Sequence, residues 1–315
     1  MAAGGVLRVF SVISGILGTV QFGIDNFASP DSSGSTIRIL AGLDVDGGLQ
    51  NACGDLPDVR LYNEAGNFLG ISADTGKIDD GTTGEIKIKH KEDKGQQAAY
   101  ALFSANNNAI YIASASITWP NGDEYGWVGD WGRECGGSWY FSNVFIQGSN
   151  HKPTFLWIDG NGEQPQTGFQ IHWPGIVYWA LDNGSRETFA ADESIRSRIH
   201  ERRQNRHNPT DNSTVISLAD RLAELLVFDS EEEHSATELC LSKTSLGPDF
   251  ANNDQKLFCH MSDKTLWPFC NDVYPDDCFD ADLQQLVIGG KVVRDRKYAN
   301  VINWGGSSKS ASGAA

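Results

Sequence analysis

Over the first 180 residues apolar and polar positions alternate in short runs, the period of half-buried strands. Thr36–Leu43 (TIRILAGL), Asp58–Tyr62 (DVRLY), Asn67–Ile71 (NFLGI) and Glu85–His90 (EIKIKH) read as strands, with Asn-Glu-Ala-Gly and Asp-Asp-Gly turns between them. Ala98–Ser104, Ala109–Trp119, Ser138–Ile146, Thr154–Ile158, Phe169–Trp173 and Ile176–Leu181 continue the series. Short strands with frequent turns and no intervening helices predict a mainly β fold: an antiparallel β-sandwich or jelly-roll-like domain over residues 29–182.

After Asp182 the period changes. Ala190–Gln204 and Val215–Phe228 carry apolar residues at helical spacing, and Asp192 near the start and Arg202–Arg203 near the end of the first suit a helix dipole. Residues 231–304 show little periodicity but hold Cys240, Cys259, Cys270 and Cys278, so residues 183–304 are expected to be a helical, disulfide-tied region. Those four cysteines allow three pairings. Residues 305–315 read as a disordered tail. Residues 1–28 form an apolar N-terminal segment, a signal or anchor or else a packed helix, and give the chain its one route to a membrane.

Composition sharpens this picture in two places. The formal charge of -16 argues against nucleic acid as a partner. Six cysteines without a C-x-x-C pair suggest disulfides rather than zinc, with Cys53 and Cys135 as the pair in the first half. Disulfides, together with sequons at Asn183 and Asn212, point to the secretory pathway.

Candidate chemistry gathers between Ile110 and Trp179, where seven of the nine tryptophans fall. In Glu124–Tyr140 (EYGWVGDWGRECGGSWY), Trp127, Trp131 and Trp139 supply flat surfaces, while Asp130 and Glu134 supply charge. With Trp157, Gln170 and Trp173 they form the expected ligand site, although the same spacing also serves a packed sandwich core. His172, Arg133 and Tyr140 are the candidate polarising or acid–base groups. The Asp44–Gly48 and Asp159–Glu163 stretches offer oxygen donors but read as turns. His200, His207, His234 and His260 show no repeated metal spacing, so neither metal nor cofactor is expected.

The segments GLDVDGGLQNACGDLPDVRLYNEAGNFLG and ASITWPNGDEYGWVGDWGRECGGSWYFSN, with the later GPDF, KLFC and LWPFC, resemble an uncharacterised group of cysteine-bridged, secreted proteins of filamentous fungi. The resemblance covers most of residues 25–300 and implies a fungal source and a shared architecture, with no catalytic assignment. Two function classes fit. One is a small-molecule-binding, cofactor-independent cyclase or isomerase of secondary metabolism, pericyclase-like, holding an apolar ligand between tryptophans. The other is a secreted carbohydrate- or cell-wall-binding protein or effector without catalysis, using the same tryptophans as stacking platforms.

Overall fold

The computed structural model describes residues 8–10, 20–42, 54–73, 75–79, 81–91, 95–161, 167–173, 222, 224–293 and 298–304. The strand expected at Ile176–Leu181, the helix at Ala190–Gln204, the Asp44–Gly48 turn, Cys53, Asn183, Asn212 and the tail lie outside these residues.

In chain order the first strands are β1 (Arg8–Phe10), β2 (Val20–Phe22), β3 (Gly34–Ala41), β4 (Asp58–Tyr62), β5 (Phe68–Ser72), β6 (Thr83–Lys89) and β7 (Tyr100–Ser104). Then come β8 (Ile110–Thr118), β9 (Glu124–Val128), a short helix α1 (Asp130–Glu134), β10 (Trp139–Tyr140), β11 (Phe155–Ile158) and β12 (Gly168–His172). The remaining elements are β13 (Leu225–Asp229), α2 (Ala236–Leu241), β14 (Asp249–Asn252), β15 (Leu257–His260), β16 (Thr265–Pro268), β17 (Cys278–Asp280), β18 (Gln285–Ile288), β19 (Lys291–Val292) and β20 (Asn300–Asn303).

The protein is mainly β, as its alternation predicts. A six-stranded antiparallel sheet runs β10-β11-β8-β3-β6 with β9 also on β8, and a four-stranded antiparallel sheet runs β12-β7-β4-β5. Ile37, Ile39, Val59, Leu61, Phe103, Ile158, Ile171 and Trp173 fill one core from strands of both sheets. β1 pairs with β2 antiparallel, in place of the helix considered for the N-terminus, and Phe22 and Phe27 pack on Val128 and Ile146.

β8 is buried along its whole length, and a bulge explains how one strand serves both faces. Leu40 pairs with Ser114 and Ala41 with Ile112, leaving Ala113 as the extra residue. Before the bulge Ile110 and Ile112 enter the sandwich core; after it Ala115 and Ile117 do. Tyr111 and Ala113 face the other way, into a second core shared with the C-terminal half. Ser116 also faces out of the sandwich core, where its hydroxyl donates to Asn26 O at 2.5 Å.

Over its described residues the C-terminal half is mainly strand where a helical region was expected. Apart from α2, its described residues form a five-stranded mixed sheet, β16-β15-β14-β13-β20, and a three-stranded sheet, β17-β18-β19. Leu225–Phe228, read as the end of a helix, is instead a central strand parallel to both β14 and β20. Its apolar run is two-faced: Val227 enters the second core with Phe250, Cys259 and Ile302, while Leu226 and Phe228 enter a third with Ala251, Phe258, Phe279 and Leu286. A run buried on both faces carries no clean period of two, and the pairing of neighbouring strands decides its conformation. The hairpin turns explain why residues 231–304 show so little pattern. Asn252 and Asp280 each accept two following backbone N–H groups, and Lys256, Lys264 and Gln284 close their turns with positive φ, from 53° to 58°. The strands between these turns are only three or four residues long.

Two disulfides complete the half. Cys240–Cys259 ties α2 to β15, and Cys270–Cys278 closes the loop before β17. They suggest an oxidising, secretory-type environment. Cys135 is a free thiol, which corrects the Cys53–Cys135 bridge. No helix among the described residues is long and apolar enough to cross a membrane.

Candidate functional site

The tryptophan-rich stretch divides between the cores. Trp127 and Trp173 lie in the sandwich core, where Trp127 stacks on Phe169 with ring centroids 5.0 Å apart. Trp157 is sealed in the second core, its ring 3.9 Å from that of Tyr111. Trp131 is half-buried between the sandwich core and the N-terminal cluster.

Polar candidates are equally dispersed. His172 and Gln170 lie on the same face of β12, at the edge of the four-stranded sheet. Gln170 is exposed, and His172 stacks on Tyr100 at 4.2 Å with Nε2 3.0 Å from Glu64. Tyr140 is fully buried in the second core; its hydroxyl donates to Pro248 O at 3.1 Å, and burial pushes its pKa well up. Asp130 accepts from Thr154 N at 2.9 Å and faces His151 Nε2 at 2.6 Å, bracing α1 against β11. His172, Tyr140 and Arg133 therefore do not converge on one reacting centre.

Three of the candidates do meet, with partners more than a hundred residues away. α1 carries Arg133 and Glu134, and Gly136 at φ 80° turns the chain out of the helix. The left-handed conformation there is open to glycine at little cost. β10 then carries Trp139, which accepts Leu246 N at 2.8 Å and donates its own N–H to Thr244 O at 3.1 Å. This pairing brings the chain after α2 against β10.

α2 begins on Ser235, whose hydroxyl accepts Glu238 N at 3.3 Å, half of a Ser-x-x-Glu capping box. The Glu238 side chain does not complete the box; it forms an ion pair with Arg133. The Arg133 guanidinium also covers the Trp139 ring, 4.0 Å from its centroid, and the Trp139 indole N–H donates to Ser242 Oγ at 3.0 Å. Burial presses Arg133 below the ordinary arginine value, while Glu134 and Asp130 hold it up.

The result is an open cleft of about 680 Å³. Arg133, Glu134 and Glu238 give it charge; Ser235, Thr237, Ser242 and Thr244 give it hydroxyls; Leu241 and Trp139 supply its apolar surface. Both signs of charge and several rotatable donors in an open groove suit a polar ligand with many hydroxyls, and they do not form the apolar walls that grip a polyene.

Sequence reasoning located Arg133, Glu134 and Trp139 but missed Ser235, Thr237, Glu238, Ser242 and Thr244. The signal available was Ser235-Ala-Thr-Glu238, a helix start; its ion pair with Arg133 across 105 residues leaves no local trace. Compared with known proteins, the chain matches no protein-family model and no curated protein.

Proposed function

We propose that this protein is a non-catalytic binding protein of an oxidising compartment, in the fungal setting its resemblance suggests, that holds a hydroxyl-rich ligand of the oligosaccharide or wall-polysaccharide class. Its binding site is the cleft between α1, β10 and α2. The observation that carries this reading is the lining: an Arg133–Glu238 ion pair over Trp139, edged by four Ser and Thr side chains. Planar charged groups and hydroxyls match the donor and acceptor pattern of a sugar.

The cyclase reading needs an aromatic-walled pocket around a polarising group. Trp127, Trp157 and Trp173 are spent in core packing, and His172 and Tyr140 lie on different elements facing different surroundings. The cleft supports binding better than chemistry.

Calorimetric titration of the folded protein with soluble glucan, chitin and mannan oligosaccharides tests this. One of them binds with a one-to-one stoichiometry, and Arg133→Ala weakens it by about tenfold or more, the loss of a charge-assisted hydrogen bond worth about 1.5–3 kcal/mol. Absence of binding across the panel, or an unchanged Kd in a folded Arg133→Ala, refutes the assignment.

A further inference from the structure

β13 lies between two parallel neighbours, and in sheets with parallel strands the carboxyl ends are where ligands gather. At that end Asp229 closes β13, followed at once by the loop to α2, which carries Glu231 and His234. One carboxylate oxygen of Asp229, one of Glu231 and one ring nitrogen of His234 lie within 4.8 Å of one another. Asp229 and His234 are buried; Glu231 is partly open to solvent and gives the cluster an entrance.

We propose that Asp229, Glu231 and His234 form a binding site for a first-row divalent cation of the zinc class. Two carboxylate oxygens and one imidazole nitrogen are a donor set for such an ion, and the imidazole favours it over calcium. Hydrogen bonds between side chains and the loop backbone hold the donors in place before any ion arrives. Asn252 Nδ2 donates to Glu231 O at 3.0 Å and to His234 O at 2.7 Å, pinning both ends of the loop. Asp229 Oδ1 accepts Ser230 N at 2.6 Å and Glu231 N at 3.0 Å, which leaves Oδ2 directed to the His234 Nδ1 side. The His234 ring is clamped by stacking on Phe141 at 4.6 Å. Such outer contacts orient metal ligands.

A second observation stands beside the cluster. Trp304 follows β20, the other parallel neighbour, and its ring meets that of His234 at 67° with centroids 5.9 Å apart. Its indole N–H is buried and has no hydrogen-bond partner among the described residues. A buried donor left unpaired is costly, and a water on an ion with open positions would meet that need.

The opposing charge is Lys152, whose ammonium pairs with Glu231 and donates to Asn143 Oδ1 at 2.7 Å. An incoming cation must compete with it and with the direct contact between His234 Nδ1 and Asp229 Oδ2. Lys152→Met therefore tightens the ion, whereas a merely structural salt bridge predicts only lost stability.

The test is calorimetry on chelator-stripped full-length protein with Zn²⁺, Mn²⁺ and Ca²⁺, alongside thermal melts. Zn²⁺ binds one per chain, at least tenfold tighter than Ca²⁺, and raises the melting temperature. Glu231→Ala, at the solvent-open ligand, weakens Zn²⁺ by at least tenfold, and Lys152→Met strengthens it. Three results overturn the proposal: no saturable uptake by the wild type, the same affinity in Glu231→Ala, or Zn²⁺ no tighter than Ca²⁺. The last two would mark diffuse binding to an acidic surface.

Discussion

Removing the Cys240–Cys259 disulfide, as Cys240→Ala with Cys259→Ala, strikes the element that forms one wall of the cleft. The bridge spans 19 positions, and closing a loop of about 20 residues removes about 3 kcal/mol of unfolded-state entropy at 25 °C on the chain-entropy model. Both cysteines are buried in the second core beside Leu239 and Phe250, so the lost sulfurs leave a small void that adds to this. The expected destabilisation is thus ~3–4 kcal/mol. For a unit of 150–250 residues that is a fall of about 6–15 °C in Tm. The assay is urea unfolding followed by circular dichroism and by tryptophan fluorescence, which should show a lower midpoint and, because the uncrosslinked chain expands further on unfolding, a slope that is equal or steeper. Because Glu238 and Ser242 ride on and after α2, ligand affinity at the cleft should fall as well. A loss below about 1 kcal/mol would refute the reasoning, since the loop length alone requires more.

Three further perturbations read other parts of the structure. Gly247→Ala sets a Cβ 2.2 Å from the buried Tyr140 ring, so overpacking should cost about 1–3 kcal/mol in urea unfolding, and unchanged stability would contradict the joint between the halves. Burial holds Lys264 at about 8, below the ordinary 10.5 and against the pull of Asp249. Between those values the unfolded chain binds more protons, so wild type gains stability over Lys264→Met as pH rises from 8 to 10, and a flat difference refutes the burial. The Cys135 thiol is pushed up by burial and by Glu134. Iodoacetamide should therefore label it slowly at neutral pH and faster above pH 9 in unreduced protein, with the four bridged cysteines silent by mass spectrometry until reduction.

Much of the sandwich was legible because its strands are half-buried. Asp58–Tyr62 alternates in sequence and in burial, and the predicted bounds coincide with β4. Other elements were hidden for physical reasons. The β8 bulge shifts the alternation in mid-strand, so Ile110 and Ile117 share a core despite their odd spacing. β13, buried on both faces, reads like part of a helix. Seven tryptophans in one stretch are compatible equally with a cleft and with two cores meeting at one sheet, and only tertiary packing tells them apart. The same limit hid the partners of Arg133 and the neighbours of the cluster around His234, since Asn252, which pins its loop, and Lys152, which pairs with Glu231, lie elsewhere in the sequence.

The central claim is that ligand enters the cleft beside Trp139 and leaves the core tryptophans untouched. It is tested most directly by the indole N–H signals of ¹⁵N-labelled protein titrated with the oligosaccharide that calorimetry selects and, separately, with an apolar polyene. The oligosaccharide should shift the Trp139 signal, because that N–H is bonded to Ser242 in the cleft wall, and leave Trp157 and Trp173 in place. A polyene that moves Trp127, Trp157 and Trp173 together while sugars move nothing would contradict the account.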